Sequence, residues 1–181
     1  MNEKMKKYIF AIIIIISTLI SNAQEKIKFE STASVGSFSY FFGFVDVCPF
    51  YGSEYDLPRT GKTGIQVSIS NGICIKDKLH FGLGIGYANY DGINGLMGFS
   101  DNRIDFSKKP FAMFFYFDPG YSHFWSQYAL NNSGGGTGTF MIDFGLGARY
   151  KVFNTRKAII STGLLLMQQN IYIPLKLGFT F

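Results

Sequence analysis

The sequence predicts an all-β protein: an eight-stranded antiparallel up-and-down transmembrane β-barrel, preceded by a cleaved signal peptide. Three observations predict it. The last eleven residues, IYIPLKLGFTF, alternate Ile171, Ile173, Leu175, Leu177, Phe179 and Phe181 with Tyr172, Pro174, Lys176, Gly178 and Thr180. That period of two belongs to a strand with unlike faces. The composition combines 18% aromatic residues and 21 glycines with only 16% charged residues. Beyond the first twenty residues, no apolar run approaches the length of a membrane-spanning helix.

The chain opens MNEKMKKYIFAIIIIISTLISNAQ, a lysine-bearing start, an apolar core and small residues Ser21 and Ala23 before Gln24. This is the layout of a secretory signal peptide, with a core too short to anchor. It divides the chain into a signal at 1–23 and a barrel domain at 24–181. Without the signal's three lysines and Glu3, the 17 basic and 12 acidic residues become 14 and 11, a mild +3. The basic residues are scattered, so no nucleic-acid partner is expected. Cys48 and Cys74 are predicted to be free thiols, because the intervening strand holds them apart.

Strand one is expected from Lys26 to about Tyr40, with Ile27, Phe29, Ala33 and Val35 opposite Lys28, Glu30, Thr32, Ser34 and Gly36. A long loop, Phe41 to Gly61, precedes strand two at Thr63 to Ile75, and Lys76-Asp77-Lys78 makes a turn. Strand three, Leu79 to Tyr90, alternates large residues with His80, Gly82, Gly84, Gly86 and Ala88. A second long loop is expected from Asp91 to about Lys109, on the strength of three glycines and mixed charges. Strand four is then Pro110 to Phe117, turned by Asp118-Pro119-Gly120 into strand five, Tyr121 to Tyr128, whose facing is ambiguous. The glycine-rich Asn131 to Thr139 separates it from strand six, Phe140 to Val152. Strand seven is Lys157 to Met167, and the terminal strand is the eighth. Pro174 lacks a ladder donor and predicts a bulge or missing hydrogen bond near the extracellular half.

A soluble barrel would turn its large residues inward and a charged face to water. Here the second face is glycine, serine and threonine with sparse charge, which suits the narrow interior of eight strands. The large residues therefore face lipid. Tyr40, Tyr87, Tyr90 and Tyr150, near strand ends, are expected in aromatic girdles.

The signal ending in SNAQ, the strands GLGIGYANYDG and IDFGLGARYKV, and the final KLGFTF together resemble the small outer-membrane β-barrel proteins, with an OmpA/OmpX-like or PorT-like barrel domain. The resemblance spans the whole chain after the signal. It implies the outer membrane of a Gram-negative bacterium, contact with its lipid and lipopolysaccharide, and an assembly signal at Phe179 and Phe181 for the barrel-insertion machinery. Activity does not transfer with such a fold.

The inward parity collects Lys28, Glu30, Asp143, Arg149 and Lys176, with Lys151 near the periplasmic rim. Buried opposite charges must pair, so a salt-bridged plug is expected, with Glu30 and Arg149 as the foremost pair. His80 and His123, both placed near the periplasmic end, lack a serine two residues on. A lipid A-modifying enzyme is therefore the less favoured reading, and no enzyme activity is expected. Asp46, Glu54, Asp56, Asp91, Asp101 and Asp105 lack the ordered oxygen spacing of a calcium loop, and no metal or cofactor is expected. The expected role is structural or interactive, through the two long extracellular loops. Their Phe50, Tyr51, Tyr55 and Met97 would contact lipopolysaccharide or a protein partner. An accessory barrel of a secretion or transport complex and a narrow passive pore are the competing readings.

Overall fold

The structure is a computed structural model that describes residues 27–43, 63–90, 92–125, 137–153, 156–168 and 170–181. Eight strands follow one another: β1 (Ile27–Gly43), β2 (Thr63–Ile75), β3 (Leu79–Tyr90), β4 (Ile93–Asp105), β5 (Phe111–Trp125), β6 (Thr137–Lys151), β7 (Lys157–Met167) and β8 (Asn170–Thr180). Each pairs antiparallel with the next, and β8 returns to β1 to close the barrel. Following paired residues once around, from Ile27 through Ile75, Leu79, Ile104, Phe115, Leu146, Thr162 and Leu175, arrives at Ser37, ten residues along β1. That stagger tilts the strands and leaves an interior only as wide as the side chains that fill it. Residues 76–78, 106–110 and 152–156 join strands at the end holding Ile27 and Phe181, hereafter the turn end. The strand ends that flank 44–62, 91–92, 126–136 and 168–169 are at the opposite rim.

Two segments differ from the sequence expectation, and their differences cancel in the strand count. The expected second long loop is strand β4, joined to β3 through Gly92, whose φ of +84° suits glycine. The expected turn at Asp118-Pro119-Gly120 lies inside one continuous strand, β5. The turn residues do mark a defect. The β4–β5 ladder is paired at Phe99↔Gly120 and resumes at Arg103↔Tyr116, with no pairing recorded between. Pro119 has no N–H to offer, and side chains patch the opening. The Asn102 amide Nδ2 donates to the Phe117 carbonyl at 2.8 Å, and the Asn102 N–H donates to the Asp118 carboxylate at 3.0 Å. Pro174 leaves a similar gap, since β7–β8 pairing skips from Thr162↔Leu175 to Leu165↔Tyr172. There the Thr162 hydroxyl donates to the Pro174 carbonyl at 2.8 Å.

The two faces separate sharply. Outside, Leu83 is 75% exposed and Ile85 69%, with Ile65, Val67, Phe115, Phe140, Leu146, Leu175 and Leu177 exposed around the circumference. Water-soluble monomers rarely present so continuous an apolar belt. Inside, the glycines of β3 are spaces for neighbours. A Cβ on Gly84 would strike the Phe99 ring, and one on Gly86 would meet Met97. The bare face of β3 is thus covered by β4. At the opposite rim, Phe38, Tyr90, Phe124, Leu165, Met167 and Tyr172 pack as a buried cluster inside the barrel. Tyr90 and Tyr40, expected in a girdle, belong to this interior packing, whereas Tyr87 and Tyr150 do face outward.

Candidate functional site

The interior between the aromatic cluster and the turn end is a charge network built one residue in two from several strands. β1 supplies Glu30, β3 His80, β4 Asp101, Arg103 and Asp105, β5 Asp118, β6 Asp143 and Arg149, β7 Lys157 and β8 Lys176. Alternation along each strand aims them all inward. Two layers result.

Nearer the turn end, Lys157 donates to Glu30, and His80 sits between two carboxylates, Nδ1 3.4 Å from Glu30 and Nε2 3.4 Å from Asp101. Arg103 grips Asp101 with Nε at 2.9 Å and a second nitrogen at 3.2 Å, and reaches the Thr32 hydroxyl at 2.9 Å. Ser70 donates to the same Asp101 carboxylate. Arg149 Nε lies 2.7 Å from Asp105. The bidentate fork is the geometry in which a buried guanidinium best offsets its lost hydration.

Midway along the barrel, the Lys176 ammonium donates to Asp143 at 2.9 Å, lies 3.9 Å from Asp118, and sits 4.1 Å above the centre of the Tyr116 ring. Asp118 and Asp143 are directly opposed in the β5–β6 register, so this one cation separates two buried carboxylates. A cavity of about 70 Å³ runs between the layers, lined by Thr32, Ser70, Asp101, Asp118, Asp143 and Lys176 among others. It has room for several water molecules.

The expected lumen residues Glu30, Asp143, Arg149 and Lys176 point into this interior, but the pairing differs from expectation. Glu30 meets Lys157 and His80, not Arg149, because the ten-residue stagger brings β7 beside the start of β1. Lys28 and Lys151 sit exposed at the turn end. Lys28 donates to Asp77 at 2.6 Å, and that bond holds the Asp77 carboxyl below the usual carboxylate range. Sequence reasoning missed His80, Asp101, Arg103, Asp105, Asp118 and Lys157 as network members. The available signal was Asp101-Asn-Arg103-Ile-Asp105, charge at every second residue.

Met97, expected on a surface loop, is 4% exposed inside the barrel, since it lies at an inward position of β4. Phe50, Tyr51 and Tyr55 lie outside the described residues, as does Cys48. Cys74 is a buried free thiol. His123 lies at the opposite rim, not the turn end, stacked edge-on against Trp125 with ring centres 4.8 Å apart. Among the described residues no hydrogen bond joins a serine to a histidine, and Ser70 donates to Asp101. Phe179 and Phe181 are exposed on the outer face.

No family model matches the chain, and no curated protein does. Solved structures match its fold. Neisserial surface protein A aligns over 86% of this chain and 98% of its own at 13% identity, with a TM-score of 0.60. The N-terminal β-barrel domain of Pseudomonas aeruginosa OprF aligns over 86% of this chain and all of its own at 17% identity, with a TM-score of 0.53. The fold is that of the small outer-membrane β-barrels.

Proposed function

We propose that this chain is an outer-membrane barrel of a Gram-negative bacterium. In this reading its interior is closed and its role is structural or interactive, exerted through residues 44–62 and 126–136. The observation that carries the reading is the sorting of the faces, with hydrocarbon-like side chains outward and every inward charge engaged or capped by the aromatic cluster. A pore needs a wet path from end to end. Phe38, Phe124, Tyr90 and Tyr172, all essentially unexposed, fill the cross-section at one level, and the salt-bridged layers fill it at others. With the interior so occupied, the remaining place for specificity is the rim at which 44–62 and 126–136 emerge. Phe50, Tyr51 and Tyr55 supply apolar contacts there for lipopolysaccharide or a protein partner. Export is assigned to a signal at 1–23, and assembly to recognition of Phe179 and Phe181 by the insertion machinery.

Cell fractionation with heat-modifiable gel migration tests the barrel, and recovery of the chain in the soluble periplasm would refute it. Planar-bilayer recording tests the closure: the purified barrel is expected to show no steady unitary conductance, and regular channel steps would overturn that part. Mass determination of the exported protein is expected to place its first residue at Gln24.

A further inference from the structure

We propose that the turn end of this barrel is a collar for anionic phospholipid headgroups, of phosphatidylglycerol or cardiolipin type, in the leaflet that it faces. Among the described residues every exposed charged side chain lies at that end. Lys28, Lys76, Lys78, Lys108, Lys109, Lys151 and Arg156 are all exposed there, against the single carboxylate side chain of Asp77. The remaining charged residues described are the inward ones of the network. Lys28 is engaged by Asp77. The other six cations have no ion-pair partner among the described residues, so their charge is available to something outside the chain.

Their distribution favours lipid over a protein partner. They occur at the start of β1, in all three turns and at the end of β6, and so encircle the barrel instead of forming a patch on one side. Each group also borders the apolar belt. Lys78 precedes exposed Leu79; Lys108 and Lys109 lie between exposed Phe106 and Phe111; Lys151 lies between exposed Tyr150 and Val152. A ring of cations directly beneath a hydrocarbon-facing ring matches the order of layers in a leaflet, acyl chains and then phosphates. Lysine stems can lie along the belt while their ammonium groups reach the headgroups. Among the described residues the opposite rim has no charged side chain.

This inference rests on the membrane-spanning reading above, and the experiment separates the two. The full chain without its signal is folded into vesicles of phosphatidylcholine and of equimolar phosphatidylcholine and phosphatidylglycerol. Heat-modifiable migration reports insertion in each. Spin-labelled phosphatidylglycerol and phosphatidylcholine then report which lipid the barrel immobilises. Preference for phosphatidylglycerol of up to about fivefold is expected, the scale of one cation at an anionic surface. It should fall as salt rises and vanish in the K76Q/K78Q/K108Q/K109Q/K151Q/R156Q variant, whose substitutions are all at exposed positions. A barrel that inserts but holds both lipids equally, or whose preference survives in the variant, overturns the collar and leaves the barrel standing. Tight binding of soluble polyglutamate without lipid preference overturns it in favour of an acidic protein partner. A chain that inserts in neither vesicle overturns both readings.

Discussion

Lys176→Met removes the only cation paired with Asp118 and Asp143 among the described residues while keeping a side chain of similar length. In the native barrel the ammonium lies 2.9 Å from Asp143, 3.9 Å from Asp118 and 4.1 Å from the Tyr116 ring centre. Its removal leaves two buried carboxylates opposed across β5 and β6. Breaking one partner out of a buried pair costs about 3–5 kcal/mol, because the orphaned charge stays desolvated. With a urea slope of about 2 kcal/mol/M, the unfolding midpoint should fall by about 2 M. The single tryptophan, Trp125, lies on the outer face at the opposite rim, so its fluorescence follows barrel opening in detergent or vesicles. The control is the triple variant D118N/D143N/K176M, in which no charge is left unpaired. It should recover most of the lost stability, since a well-packed neutral set can match a buried pair. A midpoint shift below about 0.5 M in the single variant, or a triple variant as unstable as the single, would show that water solvates these carboxylates and would refute the reasoning.

Phe38 is fully buried, stacked on Tyr90 at 5.6 Å and edge-on to Tyr172 at 5.3 Å. Phe38→Ala should cost about 3–5 kcal/mol and, if the cluster is the seal, give conductance in planar bilayers where the native barrel has none. Gly163→Ala places a Cβ against the Phe144 carbonyl oxygen, whereas Gly98→Ala meets nothing within 4 Å. The first is expected to abolish heat-modifiable folding and the second to leave it unchanged. Asn102→Ala removes the donor to the Phe117 carbonyl across the broken β4–β5 ladder. A loss of about 1–3 kcal/mol is expected, with faster hydrogen exchange confined to residues around Gly120.

The barrel was legible wherever large and small residues alternate without interruption. Strand β3 and strand β8 differ from their sequence readings by a residue or less, because a period of two over eleven or twelve positions has no helical interpretation. β4 was not legible, for a physical reason. Its Gly95 lies where the Phe124 ring needs room, and its Asp101, Arg103 and Asp105 face an interior that supplies their partners. Glycine and mixed charge signal a loop only when the polar face looks at water, and in this barrel it looks inward. Asp118-Pro119-Gly120 misled in the complementary way. Pro119 breaks the ladder without making the expected turn, and the chain runs straight on because Asn102 and Asp118 satisfy the backbone groups left open. Pairings across the lumen were illegible because they depend on the stagger, a property of all eight registers together. The Glu30–Lys157 contact joins residues 127 apart in the chain.

That same sorting explains why the overall charge says little about this protein. A net charge of +5 describes a weakly basic chain, yet closure of the barrel divides its described charges into two populations with no shared environment. The inward set holds Lys157, Arg103, Arg149 and Lys176 against Glu30, Asp101, Asp105, Asp118 and Asp143, with His80 placed between two of the carboxylates. Such a set must come close to neutrality, because each uncompensated charge in a narrow interior is costly. The outward set is under no such constraint, since its charges face water at the turn end, and there cationic side chains outnumber carboxylate side chains seven to one among the described residues. Among the described residues, the excess that the interior cannot hold is thus concentrated at one rim. Substitutions of inward charges should therefore register in stability and leave lipid preference alone, while substitutions of rim lysines should do the reverse. A rim variant that lowers the urea midpoint as far as Lys176→Met does would contradict the partition.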